Sequence, residues 1–216
     1  MSDAGYDIIE RLIRNISHEI KNPLTTIRGY AQMLGMKPGE PDFIEKTRKM
    51  VIDNVDLIDE RMNALYDVFG LEPGNPVNTD LASVLNAVVG QLDPAIAQRI
   101  SLDATGAPRE VGIDPGQLTR ALGLILNGFC WENFPSADAR ILADRSGEGK
   151  GASVRLLFGG VDFSALESGS FYLPFSGKKH FRRGTELFEV FAMSGKNGWR
   201  FDLAAAEGRR GFVLVI

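Results

Sequence analysis

Residues 16–30 of the chain read Ile-Ser-His-Glu-Ile-Lys-Asn-Pro-Leu-Thr-Thr-Ile-Arg-Gly-Tyr. They lie within a longer helical pattern, because apolar residues recur at intervals of three or four positions. This apolar stripe comprises Ile9, Ile13, Ile16, Ile20, Leu24, Ile27, Ala31 and Leu34. His18 lies on the opposite side of such a helix, with Asn22 one turn further along the same polar face and Glu19 on the flank. The pattern predicts a helix that packs against other helices and presents the His18 imidazole to solvent.

The residues around His18 resemble the H box of the two-component sensor histidine kinases. The motif positions are occupied by His18, Glu19, Asn22 and Pro23. In that family the histidine accepts a phosphoryl group, which passes to an aspartate on a response regulator. The resemblance therefore implies that His18 is the phosphoryl site. Without it, a histidine on a polar helix face would be interpreted as an ordinary surface residue.

The neighbours of His18 suit this chemistry. An exposed imidazole can reach the active site of a partner protein and present an unprotonated ring nitrogen. Glu19 can accept the hydrogen of the other ring nitrogen, which fixes the tautomer and raises the nucleophilicity. The resemblance implies that Asn22 positions a water molecule for hydrolysis of the regulator's aspartyl phosphate. Pro23 removes one helical hydrogen bond and is predicted to bend the helix just past the histidine.

A second helix is predicted after a turn at residues 37–41. Asp42, with Glu45 three positions later, has the pattern of an N-cap in a capping box. The helix carries a seam of apolar residues in alternating steps of four and three, namely Val51, Val55, Ile58, Met62, Leu65 and Phe69. Two helices of about thirty residues cannot bury such stripes as a lone hairpin, which favours a homodimeric four-helix bundle. Residues 1–71 are therefore predicted to form a dimerisation and histidine phosphotransfer domain.

Residues 72–77 are predicted to be a linker, because Pro73, Gly74 and Pro76 interrupt the helical pattern. Beyond it, residues 78–216 alternate between helix and strand patterns. Helices are expected near 80–92, 115–131 and 185–193, and strands near 99–103, 110–113, 137–144, 153–158, 199–205 and 211–216. This order resembles the ATP-binding domain of the same kinases, an α/β sandwich. The predicted fold is thus a dimeric helical hairpin followed by an α/β sandwich.

Composition and charge exclude several classes of function. The chain has 216 residues, enough for one large or two small domains. Its net charge of −4 argues against nucleic acid or an anionic membrane as the main partner. The single cysteine, Cys130, excludes an internal disulfide framework and is interpreted as a buried apolar residue. No signal peptide is visible, and the longest apolar run, at residues 121–130, is too short to span a bilayer, so a cytoplasmic protein without membrane insertion is predicted.

In the family that this chain resembles, sequence boxes hold Mg-ATP, and the first two are eroded here. The first supplies an asparagine for Mg²⁺. Asn127 falls on that position, but Gly123 replaces the asparagine usual one turn earlier, so a structural role for Asn127 is an equal alternative. The second box reads Asp-x-Gly-x-Gly, and its aspartate position holds Gly160. Its glycine positions hold Asp162 and Ser164, and sliding the register by two residues restores neither glycine.

The last box cradles the phosphates with backbone N–H groups at a helix start. Of its glycines only Gly184 remains, followed by Thr185. Glu186 and Glu189 would place negative charge beside a triphosphate, and this opposes ATP binding. The remnants of a nucleotide site are therefore Asn127, Gly184 and Thr185, with Asn127 as the candidate metal ligand.

A basic run at residues 178–183 includes His180, the second of the two histidines in the chain. One interpretation of this run is a solvated loop without a specific function. The other is a functional one, in which the run is a docking patch for an acidic partner or the remnant of a phosphate clamp. His180 is assigned to this loop and not to a catalytic pair.

These features favour a phosphorelay phosphotransferase. In this hypothesis His18 takes a phosphoryl group from one response-regulator receiver domain and gives it to another, and no cofactor is expected. One alternative is a sensor histidine kinase with weak or trans-supplied autophosphorylation, which would use Mg-ATP. Another is a pseudokinase that controls a partner by binding, and an intact Asn22 also permits a phosphatase role. The helical pattern starts near Tyr6, which leaves no room in this sequence for an input domain ahead of the H box. Either the sequence is a piece of a longer protein or the protein is a stand-alone component, and the Met-Ser-Asp start favours the second.

Overall fold

The N-terminal part of the chain is a hairpin of two long helices. The computed structural model describes residues 3–36, 39–131, 134–146, 151–161, 163, 166, 171–175 and 185–216. Helix α1 runs through Asp3–Met36 and helix α2 through Pro41–Phe69, and the two pack along their length. This hairpin confirms the prediction that the apolar periodicity made. Helix α1 continues through Pro23, which is buried.

The predicted start of α2 is wrong. Its N-cap is Glu40, in an extended conformation, and the helix begins at Pro41. Asp42 therefore lies in the first turn and does not cap it, and Glu45 forms a hydrogen-bonded ion pair with Arg48. The physical reason is that proline fits the first helical position without strain, since its missing N–H would have no partner there. An acidic residue in the first turn is still favourable because it faces the positive end of the helix dipole.

The C-terminal part is an α/β sandwich, as predicted. It contains β1 (Val77–Thr79), α3 (Leu81–Gly90), α4 (Pro94–Ala97), β2 (Ile100–Gly106), β3 (Val111–Ile113), α5 (Pro115–Gly123), a π-helix (Leu124–Trp131), β4 (Asp138–Arg145), β5 (Ala152–Gly159), α6 (Glu186–Asn197), β6 (Arg200–Ala206) and β7 (Arg209–Val215). The main sheet has the order β2-β4-β5-β7-β6, in which β2 and β4 are parallel and the other neighbours antiparallel. Strands β1 and β3 form a separate antiparallel pair.

Three details of this part differ from the sequence prediction. Val77 was assigned to the linker, but it begins β1 and pairs with Ile113. The four-residue helix α4 was not predicted, because its only sequence signal is Asp93 capping Pro94. The helix predicted over residues 115–131 is divided into α5 and the π-helix. Periodicity does not separate these two helix types over so short a stretch, because both bury one face.

The core lies between the sheet and the helices and is rich in phenylalanine. Alternate residues of β5 point into it and are buried, namely Ala152, Val154, Leu156 and Phe158. At its centre Phe212 contacts Phe129 of the π-helix edge to face, with ring centroids 5.1 Å apart. Phe163 and Phe171 also pack on Phe212. Edge-to-face aromatic pairs add stability beyond the area that they bury.

The connection between the two parts is held by Asp114. This residue caps α5 by accepting a hydrogen bond from the Gln117 N–H at 3.0 Å. Its second oxygen accepts from the Asn75 N–H in the connecting segment at 2.8 Å. These backbone hydrogen bonds hold the pKa of the Asp114 carboxyl below its usual value, because they favour the ionised form.

Replacing Asp114 with alanine is expected to lower the free energy of unfolding at pH 7 by about 1 kcal/mol, the typical value of an N-cap. Because the folded-state pKa is depressed, this contribution is present above the pKa of the unfolded chain and is lost as the pH falls through the folded-state pKa. The difference between wild type and variant should therefore shrink in strongly acidic buffer. Urea titrations at neutral and acidic pH measure it, with Asp53→Ala, an exposed site on α2, as the control. A pH-independent difference would contradict the linkage.

Candidate functional site

His18 is exposed on α1, as the sequence predicts. Its side chain makes no hydrogen bond to any residue that the structure describes. Asn22 is also exposed and lies one helical turn further along the same face. The hydroxyl group of Thr26 donates to the Asn22 carbonyl at 3.2 Å, which adds a local contact beyond Pro23. Both side chains are therefore accessible to a partner protein.

Glu19 lies against the second helix of the hairpin. Its Oε2 is 3.6 Å from Nη2 of Arg61 on α2. The Arg61 side chain is only 16% exposed and that of Glu19 is 32% exposed, so the pair is largely shielded from water. Sequence analysis did not identify Arg61. The available signal was an arginine directly before Met62 of the apolar seam, but the register of the hairpin was needed to pair it with Glu19.

Arg61 also contacts the C-terminal part of the chain. Its guanidinium carbon lies 4.9 Å from the centroid of the Phe175 ring, within cation–π distance. One residue earlier, the Pro174 carbonyl accepts a hydrogen bond from Nδ2 of Asn15 on α1 at 3.1 Å. The segment at residues 171–175 thus contacts both helices, α1 through Asn15 and α2 through Arg61.

The predicted nucleotide remnants that the structure describes lie on the π-helix and at the start of α6. Asn127 is exposed on the π-helix, and Thr185 is the buried N-cap of α6, although its hydroxyl does not cap the helix. Gly184 lies outside the described residues. The two elements meet where Glu186 packs on Gly128, since a Cβ added to Gly128 would lie 2.7 Å from Cγ of Glu186. The structure therefore brings the elements that carry Asn127 and Thr185 together.

Two carboxylates are buried at the start of α6. Glu186 is 4% exposed and Glu189 is 6% exposed. Glu189 accepts a hydrogen bond from Nε of Arg120 on α5 at 2.5 Å, and this ion pair joins the two helices. Arg120 was not identified from the sequence, because its partner lies 69 residues further along the chain.

Loss of Arg120 and loss of Glu189 should destabilise the protein to different extents. Arg120→Met should lower the free energy of unfolding by about 2 kcal/mol, because it removes a charged hydrogen-bond donor from a buried carboxylate. Glu189→Gln should cost less, because the Arg120 side chain is 52% exposed and water can solvate its charge. Arg48→Met, in the exposed pair with Glu45, serves as the control and should leave the free energy of unfolding nearly unchanged, because water screens this pair. Equal losses for the Arg120 and Glu189 variants in urea titrations would contradict this account.

The region of the second nucleotide box is described only in part. Gly160 follows β5 with a φ of 73°, a backbone conformation that favours glycine. Phe163, between the two expected glycine positions, is buried and its ring centroid lies 6.0 Å from that of Phe129. Asp162, Ser164 and the basic run at residues 178–183 with His180 lie outside the described residues. The position of Phe163 in the core was not predicted from the sequence.

Cys130 is fully buried in the π-helix, which confirms its interpretation as an apolar core residue. Burial raises the pKa of its thiol to about 12. Among the helices that the structure describes, none combines the length and apolar character needed to cross a bilayer. In the same described residues no cluster of histidine, cysteine or acidic side chains is arranged to hold a metal ion.

Comparison with known proteins identifies the class of the helical hairpin. Residues 8–72 match the family described as the His Kinase A (phospho-acceptor) domain. The chain is 32% identical over 139 residues to the sensory histidine kinase/phosphatase NtrB of Escherichia coli O157:H7, and the match covers 62% of this chain and 38% of that protein. The corresponding protein of Vibrio alginolyticus is 34% identical over 116 residues, which cover 51% of this chain and 31% of the relative. The chain thus spans about a third of the length of these relatives.

Solved structures show the same fold over both parts of the chain. Histidine kinase ThkA in complex with response regulator protein TrrA superposes with a TM-score of 0.62 at 13% identity, covering 99% of this chain and 63% of that one. Acinetobacter baumannii histidine kinase AdeS gives a TM-score of 0.51 at 14% identity, covering 92% of this chain and 96% of that one. A phosphoacceptor hairpin followed by a kinase-like α/β sandwich is therefore the class of protein that the fold and His18 define. The helical hairpin thus matches the phospho-acceptor domain of histidine kinases, and the two parts together have the fold of solved histidine kinase structures.

Proposed function

We propose that this protein carries a phosphoryl group on His18 and exchanges it with the aspartate of response-regulator receiver domains, without using ATP. The observation that carries the proposal is the exposed His18 in an intact H box, with Glu19 beside it and Asn22 one turn away. Glu19 acts as the orienting base, and Asn22 positions water when the phosphoryl group of a regulator is hydrolysed. The protein is expected to work in the cytoplasm.

The transfer is a simple displacement at phosphorus. An unprotonated ring nitrogen of His18 attacks the phosphorus of the aspartyl phosphate, an N–P bond forms and the bond from phosphorus to the aspartate oxygen breaks. The aspartate leaves as a carboxylate. Glu19 accepts a hydrogen bond from the other ring N–H and stabilises the positive charge that develops on the ring. The same steps in reverse pass the phosphoryl group to a second regulator.

The described residues at the start of α6 fit Mg-ATP poorly, which supports transfer without it. A triphosphate next to Glu186 would meet a buried carboxylate, and Coulomb repulsion is strong where water is excluded, whereas Arg120 compensates the charge of Glu189. The Glu186 side chain also packs against Gly128, the residue directly after Asn127. Asn127 and Thr185 are then remnants of a nucleotide site, and the α/β sandwich serves as a docking surface for the regulator.

Exposed apolar residues on the hairpin support a homodimer. Ile13 is 59% exposed and Leu24 is 50% exposed on α1, and Val55 on α2 is 43% exposed. All three belong to the stripe and seam that the sequence places in a helical bundle. A second copy of the hairpin would remove these side chains from water and complete a four-helix bundle. Light scattering of the purified protein should give twice the mass of the chain.

Two alternatives are favoured by particular observations. The relatives are named sensory histidine kinase/phosphatase, which favours an ATP-dependent autokinase with a phosphatase activity toward a regulator. Exposed Asn127 would then be its Mg²⁺ ligand, and Asn22 would serve the phosphatase reaction. The poor fit of the α6 start to phosphate favours a pseudokinase that acts only by binding. The autokinase differs from the proposal because it would bind Mg-ATP. The pseudokinase differs because its His18 would take up no phosphoryl group.

The proposal is tested by mixing the protein with receiver domains whose aspartate carries radiolabelled phosphate. Label should appear on the protein in an acid-labile, base-stable form, as expected for phosphohistidine, and should move to a second receiver domain added later. Failure of every receiver domain of the source genome to label the protein would overturn the proposal and leave the two alternatives, which labelling from Mg-ATP would separate.

A further inference from the structure

Arg61 occupies a position from which it contacts both the H box and the C-terminal part of the chain. On one side its guanidinium faces the Glu19 carboxylate, and on the other it lies over the Phe175 ring. Its own side chain is largely buried. An arginine stays protonated in proteins, so this position places a permanent positive charge next to the residue that follows His18.

The contact with Arg61 is made through Oε2 of Glu19. No other residue that the structure describes forms an ion pair or hydrogen bond with this carboxylate, which leaves Oε1 to accept a ring N–H from His18. A glutamate on an exposed helix face samples several rotamers, whereas one held by a shielded guanidinium loses that freedom. Arg61 therefore restricts the carboxylate that the proposed reaction needs next to the imidazole.

The Phe175 side of Arg61 is fixed by the C-terminal part. Phe171 is buried in the aromatic core, and the Tyr172 ring stacks on Phe191 of α6 at 3.9 Å between centroids. Phe175 itself has a φ of 58°, a left-handed backbone that non-glycine residues adopt only when their surroundings hold them there. The segment at residues 171–175 is thus anchored in the sandwich and presents the Phe175 ring to Arg61.

We propose that Arg61 is a positioning residue, which holds the Glu19 carboxylate beside His18 and makes its position depend on the docked Phe175. The expected effect of Arg61 on the rate of phosphoryl uptake rests on the proposed function. The structural content of the proposal, the orientation of the imidazole, is independent of any phosphoryl donor. Arg61 acts through Glu19 and does not touch the transferred group.

The orientation is measured by nitrogen-15 NMR of the histidine rings, recorded in alkaline buffer. The spectrum is simple because the chain has two histidines, and His180→Gln assigns the signals. In wild type one tautomer of His18 should dominate. Arg61→Met and Glu19→Gln should each shift the ring to the tautomer ratio of a free histidine, and the double variant should go no further. Arg61→Lys should restore part of the preference, and Phe175→Leu should weaken it.

Arg48→Met on the same helix is the matched control and should leave the spectrum unchanged, since its partner Glu45 is exposed and distant in sequence from the H box. A wild-type tautomer in Arg61→Met, together with a shifted one in Glu19→Gln, would overturn the role of Arg61. A free-histidine ratio already in wild type would overturn it as well.

Phosphoryl uptake from a labelled receiver domain gives the second readout. Arg61→Met should slow uptake about tenfold, the size of effect that loss of an orienting outer-shell partner causes. In the Glu19→Gln background the same change should have no further effect, whereas a purely structural role would add to it. If wild type shows the oriented tautomer but takes up no phosphoryl group, the positioning role stands and the proposed function fails.

Discussion

Replacing His18 with glutamine should abolish phosphoryl uptake from a receiver domain while leaving the fold intact. The loss should be complete, because glutamine has no nucleophilic ring nitrogen and no other described side chain takes its place. The change in the free energy of unfolding should stay within about 0.5 kcal/mol, since the imidazole is exposed and makes no hydrogen bond to a described residue. Radiolabel counting and urea titration of the same preparation measure both quantities.

His180→Gln is the matched control, because it removes the other histidine of the chain by the same chemical change. It should retain uptake at the wild-type rate. Label on the His18→Gln variant would place the phosphoryl group elsewhere. A large loss of stability in that variant would mean that the imidazole contributes to the packing of α1, contrary to its exposure.

Gly211→Ala should destabilise the α/β sandwich by on the order of 3–5 kcal/mol, a value that marks severe strain in a core. Gly211 lies in β7 opposite Leu157 of β5, in the middle of the sheet. A Cβ at this position would lie 1.7 Å from the Leu156 carbonyl oxygen, which is backbone and cannot rotate away. The two central strands would have to separate. Urea titration monitored by far-UV circular dichroism gives the loss.

Gly112→Ala provides the comparison in a strand of the same domain. Gly112 lies in β3, and an added Cβ would meet no atom within 4 Å. Alanine there should be neutral or stabilising by up to about 1 kcal/mol, because glycine loses more backbone freedom on folding. Similar losses for both variants would show that β5 and β7 adapt to the methyl group, against the close approach seen at Gly211.

The helical hairpin could be predicted from the sequence because its signal is local and repeated. Apolar residues spaced by three and four positions mark the face of a helix wherever it packs, and thirty-residue helices contain many repeats. The exposure of His18 followed from the same geometry and is confirmed. The roles of Glu19, Asn22, Asn127 and Thr185 depend on chemistry with a partner and stay predictions.

The missed features depend on contacts between distant residues. Strand β1 has three residues, and Val77 is recognisable as strand only through its pairing with Ile113. Arg61 and Arg120 are ordinary charged residues in helical patterns until the fold brings Glu19 and Glu189 to them. The N-cap of α2 was misplaced by a local rule, because Asp42 and Pro41 both signal a helix start and proline fixed the first position.

The most direct test of transfer without ATP is to determine which donor supplies the phosphoryl group on His18. The protein is incubated in parallel with radiolabelled Mg-ATP at millimolar concentration and with a radiolabelled phospho-receiver domain, and the label on His18 is counted against the His18→Gln variant. We expect label from the receiver domain and none from Mg-ATP. Label transferred from Mg-ATP to His18 would contradict the account and make this protein an autokinase with unusual nucleotide boxes.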